Sequence, residues 1–599
     1  MGMGRISIEI ETISNQSESS VGVYRYADDA SFYLTRIHYA LDDGAVQTID
    51  LTREVLPDSI IERLLDPNTE KIAWDAQAKR VYLTHYLRRQ GVIKNDAWLD
   101  PSGWDCIMIH SMAVGLPRDL HTCAEVLNII DNDTFMDTAM YLYTAKTIHE
   151  RLHALPLTES ERDVYVLDQK INDRGVNIDA RLVEAAIELY EAEERMNTRK
   201  LTALTGLNNP NSTKQFREWL HENGCPVPNL QRDTMEKLTA HHNTRIAEAV
   251  ELRLSLANQS NSKYKAIRDT LGSDGRIRGL VQMYGAQRTG RWSGQLVQVQ
   301  NIPRNMLEPT GLIREFIKNK DAESLELIYG NVSDTTKDVI RTAIIPKAGH
   351  TFTISDFASI EARVLAWLAD EEWAMKVFNM NEDIYKEAAG RMYGVPVEDI
   401  DDALRSKGKI ATLALGYQGA VGALARMGAN MDEQDMQDLV NTWRRTNKNI
   451  VDFWYSIDRA AKRVIVNGGS VTVGKVTLSN DKGFLFITLP SGRKLAYPKP
   501  SADEGTITYK AYTNGEKEEQ TYGGKLVENI VQAIARDVLA EALLRLDRAG
   551  FSAVMHVHDE VIVEHAERAD IDDIMRARPS WAQDLPIDVE SFVSDYYRK

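Results

Sequence analysis

The sequence predicts a multi-domain α/β chain, α+β in the order of its elements, and three observations carry that prediction. At 599 residues the chain is too long for one core and suggests about three or four domains. Strand-like runs open it, a strongly helical stretch follows, and strand-like runs return near the end. There, two runs rich in β-branched residues flank His558-Asp559, which reads as a hairpin with a carboxylate at its turn. A hydrophobic content of 43% and a charged content of 27% are those of an ordinary soluble protein. No apolar run approaches the roughly 20 residues of a bilayer span, and Met1-Gly-Met-Gly-Arg opens no signal peptide. A cytoplasmic location and no membrane partner are therefore expected. Cys106, Cys123 and Cys225 are widely spaced and predict buried free thiols rather than a metal knuckle.

The net charge of −17 argues mildly against nucleic acid, because phosphate binding draws on a basic surface. Distribution matters more than total. Basic residues gather at Arg276-Ile-Arg278, from Arg288 to Arg304 and from Arg405 to Lys409.

In chain order, Arg5-Ile-Ser-Ile-Glu9-Ile-Glu11-Thr-Ile and Ser31 to Tyr39 are strand-like, with helices after them. Glu9 and Glu11 read either as metal-binding acids or as the solvated face of an edge strand. From Ser160 to about Arg268 the pattern is helical, broken by Asn209-Pro-Asn-Ser212, where Ser212 can cap the next helix. The stretch Arg288-Thr-Gly-Arg291-Trp-Ser-Gly-Gln to Gln298-Val-Gln300-Asn301-Ile-Pro-Arg304 is poor in large apolar residues and dense in Gly, Gln, Asn and Arg. It can position a duplex through phosphates and sugar edges without reading sequence. Residues 307–345 read as helical and charged. The run from Thr351 reads as strand-like, puts Asp356 at its end and opens into a helix bearing Glu361 and Arg363.

Arg405, Lys409, Leu413 and Tyr417 recur at four-residue spacing, so they fan over only about 120° of one helix face. Two cations there form a basic stripe, which a solvated helix face also shows. Gly469 to Leu478 reads as a hairpin insertion, and Lys525 to Arg548 as an amphipathic helix stopped by Gly550, with Asn529, Gln532 and Arg536 on its polar face. Two distant strand-end carboxylates, Asp356 and Asp559, are what a pair of hard divalent cations needs.

These segments resemble DNA polymerase family A, its bacteriophage branch most of all. Asp356 to Arg363 looks like motif A, Arg405 to Gly419 like motif B, and His556 to Glu560 like motif C. The resemblance implies a ribonuclease H-like 3′–5′ exonuclease domain followed by a right-hand polymerase. Its divisions would be 1–155 exonuclease-like, 156–270 thumb, 271–360 first part of the palm, 361–515 fingers with the hairpin insertion, and 516–599 second part of the palm. It implies primer extension with dNTPs in phage replication, with two Mg²⁺ ions (Mn²⁺ as a substitute) on Asp356 and Asp559. Primer-template DNA and dNTPs are the implied partners, with replisome proteins beside them, for a monomeric enzyme. Arg405 and Lys409 would bind the triphosphate, Lys409 giving the proton to pyrophosphate. Leu413 and Tyr417 would flank the sugar and nascent base pair, and Glu361 would exclude a ribose 2′-hydroxyl. Glu560 and His558 would orient Asp559 and the primer end. Arg291, Gln300, Asn301, Arg304, Asn529, Gln532 and Arg536 would contact DNA.

The exonuclease motifs depart from the family pattern. Glu9 stands where an Asp is expected, ahead of Glu11. Lys79 stands where the second motif has an acid, and a cation cannot ligate a metal. The third motif is Asp133-Thr-Phe-Met-Asp137 without its Tyr, or Tyr141 to Ala145 without its Asp. The expectation is a retained fold with impaired proofreading. A single-subunit RNA polymerase, a non-catalytic DNA-binding factor and a metal-dependent nuclease are the rival readings.

Overall fold

A computed structural model describes residues 4–131, 137–256, 260–429, 431–512, 515–566 and 570–599. Asp133, named above for the third exonuclease motif, lies outside them. Among the described residues no helix is long and apolar enough to cross a membrane, and Cys106, Cys123 and Cys225 are buried free thiols.

The N-terminal unit is built on a five-stranded sheet. Its order is Gln47–Asp50, Tyr33–Leu41, Arg5–Ile13, Glu70–Ala73, Trp104–Cys106. The first three strands run antiparallel and the last two join parallel. Arg5–Ile13 therefore lies in the middle, which overturns the edge-strand reading of Glu9 and Glu11. Its alternate side chains face covering helices on both sides, so Ile6, Ile8 and Ile10 and also Ser7 and Glu9 are buried.

Ala180–Thr205 is a long helix that ends where Gly206 takes a left-handed conformation and returns its N–H to Thr202 O. Ser212 caps Thr213–Glu222 on Gln215 N, as its sequence predicts. A small separate core of Leu201, Phe216, Trp219, Ile246 and Val250 holds the tip of this helical unit. Glu159–Arg174, which the sequence grouped with these helices, packs elsewhere. Val164 and Tyr165 enter the core of the N-terminal sheet, while Leu167 and Ile171 enter that of the Gly523–Arg548 helix. It is a connector because it is apolar on two faces.

The sheet that matters most has the order Ser552–Val557, Glu560–His565, Thr351–Phe357, Val589–Ser594, antiparallel throughout. In its register Asp356 faces Glu560, and His558 takes a left-handed φ of 56° to close the hairpin on two residues. The expected hairpin insertion is larger than predicted. It is a four-stranded meander, Ser470–Val473, Val476–Asp481, Phe484–Thr488 and Lys494–Pro498, whose turns at Gly474, Gly483 and Gly492 all have positive φ.

Candidate active site

Asp356 stands at the end of its strand and Asp559 in the neighbouring turn, and Phe357 N donates to Asp559 O at 3.2 Å to lock the two segments together. Oδ1 of Asp356 is buried without a partner. Its Oδ2 lies 3.2 Å from Lys599 Nζ, which also lies 3.4 Å from Glu560. Burial, reinforced by the Asp356 carboxylate beside it, pushes Asp559 up to about 7. An orphaned carboxylate oxygen, two acids that repel and an ammonium drawn between acids are what an oxygen-rich divalent cation site shows when the protein must supply the positive charge itself. The residues fit the metal pair that the motifs imply.

Glu560 is buried and its carboxyl is raised by burial. Tyr597 donates to it at 2.7 Å, and Arg341 donates to the Tyr597 hydroxyl at 2.7 Å and to Pro303 O at 2.7 Å. This chain fixes the acidic hairpin from behind. Sequence reasoning missed Lys599, Tyr597 and Arg341; the basic, aromatic run Tyr596-Tyr597-Arg598-Lys599 was the one available signal. His556, buried edge-on against Trp292 with ring centroids 4.7 Å apart, is pushed down to about 4 by burial and by Arg536, so it is a neutral packing group. His558, by contrast, is exposed at the turn.

On the other side of Asp356, Glu361 is clamped. Arg291 donates to Oε1 at 2.5 Å and Tyr417 to Oε2 at 3.3 Å. Arg291 is thus paired with a protein carboxylate at this site. The helix Asp402–Leu415 ends before Tyr417, which sits in the following turn beside a left-handed Gln418. The single helical face predicted for four residues therefore carries only Arg405, Lys409 and Leu413. Arg405 is paired with Asp383 at 2.6 Å. Among the described residues Lys409 meets no carboxylate; its Nζ lies 5.9 Å from the Tyr385 ring. Leu413 is exposed.

Of the remaining expected DNA contacts, Asn301 and Arg304 are exposed, and Gln300 keeps a buried side-chain oxygen without a partner. Gln532 is half-buried and donates to Glu528 at 3.2 Å. Asn529 and Arg536 contradict the sequence reading. The Gly523–Arg548 helix is buried on most of its circumference rather than amphipathic. Asn529 donates to the Tyr497 hydroxyl at 2.9 Å. Arg536, 2% exposed, is ion-paired with Glu161 at 2.5 Å and Asp537 at 3.3 Å beneath Trp292. Removing one partner of such a buried network costs about 3–5 kcal/mol. Arg536→Ala is accordingly expected to lower the urea midpoint strongly and leave duplex affinity unchanged; a loss of affinity without a loss of stability would restore the DNA role.

The N-terminal acids face protein cations. Glu9 pairs with Lys79 at 2.5 Å. Glu11 accepts from Thr138 at 2.7 Å and contacts His38 and Arg36 at 3.2 and 3.1 Å. The Thr138 hydrogen bond, with His38 and Arg36 beside the carboxylate, holds Glu11 below the usual range against its partial burial. Asp137 caps the helix Thr138–Leu152 on Met140 N and joins neither. Tyr141 instead lines, with Lys79 and Asp75, a cavity of about 560 Å³, while Ala145 is buried in the core.

Comparison with known proteins bears on the whole arrangement. The profile of DNA polymerase family A matches residues 180–598. The chain is 38% identical to a DNA polymerase of Bacillus phage SP02 over the full length of both. It is 24% identical to DNA polymerase I of Lactococcus lactis subsp. lactis over 68% of this chain and 41% of that protein. In three dimensions it superposes on the POL domain of Pol1 from M. smegmatis, solved in complex with DNA primer-template and dNTP. The TM-score is 0.68 at 16% identity, covering 99% of this chain and 95% of that one.

Proposed function

This chain belongs to DNA polymerase family A and carries out template-directed DNA synthesis, and we propose that Asp356 and Asp559 hold its divalent cations, Mg²⁺ by preference. Family A polymerases are metal-dependent, and a bound pair supplies charge neutralisation at the attacking and leaving oxygens. The observation that carries the reading is the pair of strand-end carboxylates set beside the clamped Glu361.

The primer 3′-hydroxyl attacks the α-phosphorus of the incoming dNTP in line, and pyrophosphate leaves. Lys409 lies free to neutralise the leaving group and hand it a proton, and Arg405 exchanges Asp383 for a phosphate oxygen. Glu361, held by Arg291 and Tyr417, stands as a rigid carboxylate against a 2′-hydroxyl, which favours deoxynucleotides. Tyr417 and Leu413 border the nascent pair. Glu560, fixed by Tyr597, holds the hairpin so that Asp559 and His558 meet the primer end. Asn301, Arg304, Gln300 and Gln532 are the DNA contacts that remain available.

The domain plan follows that of the family: a ribonuclease H-like N-terminal unit to about residue 155, a thumb centred on 180–256, a palm in two parts and fingers between them. With Lys79 against Glu9, the N-terminal unit is a proofreading fold without proofreading activity. Primer extension with Mg²⁺ on paired and mismatched 3′ ends tests both parts. Extension of the paired primer and no release of the mismatched nucleotide are expected. Failure on the paired primer would overturn the polymerase site, and release of the mismatched nucleotide would overturn the exonuclease assignment.

A further inference from the structure

At the end of the N-terminal sheet away from Glu9, Glu70, Asp105 and His149 bring three ligand atoms within 4.8 Å of one another. Glu70 opens its strand, and Asp105 lies in the parallel neighbour, registered against Ile72, so both acids share one face of the sheet. His149 comes from Thr138–Leu152, which covers that face; its ring is 4% exposed and its Nε2 is 3.0 Å from Asp105 Oδ2. The Glu70 end of the sheet lies about 13 Å along the central strand from Glu9, so no ligand is shared with the acids there.

A second observation points the same way. Glu70 and Asp105 line a cavity of about 210 Å³ together with Arg162 and Tyr165.

We propose that Glu70, Asp105 and His149 bind a divalent first-row transition cation, Zn²⁺ best, whose fourth position opens into this cavity. One imidazole and two carboxylates suit such ions, and tetrahedral zinc with bonds of about 2.0–2.1 Å sets donors roughly 3.4 Å apart, within small side-chain adjustments of the observed cluster. Arg5 donates to Oε2 of Glu70 at 2.9 Å and orients that carboxylate. Cys106, which also lines the cavity, has its thiol donated to Trp74 O and pushed up to about 12 by burial, so it offers no thiolate. The bound ion would fasten two strands and a helix of the N-terminal unit.

The test is Zn²⁺ retention by the full chain after dialysis in millimolar Mg²⁺, which occupies the hard-oxygen polymerase site. About one tightly held Zn²⁺ is expected, with a higher thermal midpoint on loading. His149→Gln and Asp105→Asn should each weaken retention by at least about tenfold and abolish the thermal shift, with primer extension preserved. X-ray absorption of the wild-type zinc form should show imidazole and oxygen scatterers without sulfur. A wild type that retains no Zn²⁺, variants that retain it fully, or a sulfur-bound zinc would each overturn the site and leave the trio as an ion-pair network.

Discussion

Asp559→Asn is expected to lower primer extension by at least about a thousandfold, roughly 4 kcal/mol of transition-state stabilisation, with duplex binding nearly unchanged. The side chain keeps its shape, so only its charge as a cation ligand is lost. The same substitution should stabilise the metal-free fold. Asp559 titrates near 7 in the folded chain against an ordinary 3.8, so between those values the folded state binds the extra proton. Stability then falls as pH rises through that window. Asparagine removes that penalty, and in metal-free buffer above pH 7 the thermal midpoint should rise by roughly 2–4 °C. Opposite signs for activity and stability identify a site whose repulsion a cation relieves. Extension at the wild-type rate would remove Asp559 from the metal site.

Lys409→Leu is expected to reduce the extension rate by about 10²–10³-fold, the usual cost of removing one fixed charge that meets developing negative charge. Arg405 reaches a phosphate only by giving up Asp383, whereas among the described residues Lys409 lies beside the Tyr385 ring and meets no carboxylate. Lys409→Arg separates its two duties. A guanidinium keeps the charge and restores KM for dNTP, but it does not give up a proton readily and leaves kcat low. A leucine variant within about threefold of wild type by pre-steady-state extension would assign the triphosphate to other residues.

How much could be read in advance differs from residue to residue. Asp356 and Asp559 were legible because each ends a β-branched run, and strands deliver their last residue to a sheet edge whatever surrounds them. Arg536 was misread because periodicity reports which residues are polar without telling solvent from a buried partner; Glu161, which neutralises it, is far away in the chain. Tyr417 was placed on a helix that ends before it, since Gly416 and Gly419 weaken the helix without fixing its last turn.

What the sequence determined by itself is therefore local chemistry in order: the strand-end acids, the cations at helical spacing, and the Glu-Lys mismatch at the N-terminal acids. What only the tertiary structure decided is which charges are already spent. Arg291 and Tyr417 on Glu361, Lys599 between Asp356 and Glu560, and Tyr597 behind Glu560 are partnerships across long stretches of chain. The physical reason is that hydrophobic pattern and propensity act over a few residues, whereas electrostatic pairing acts through space once packing has brought the groups together.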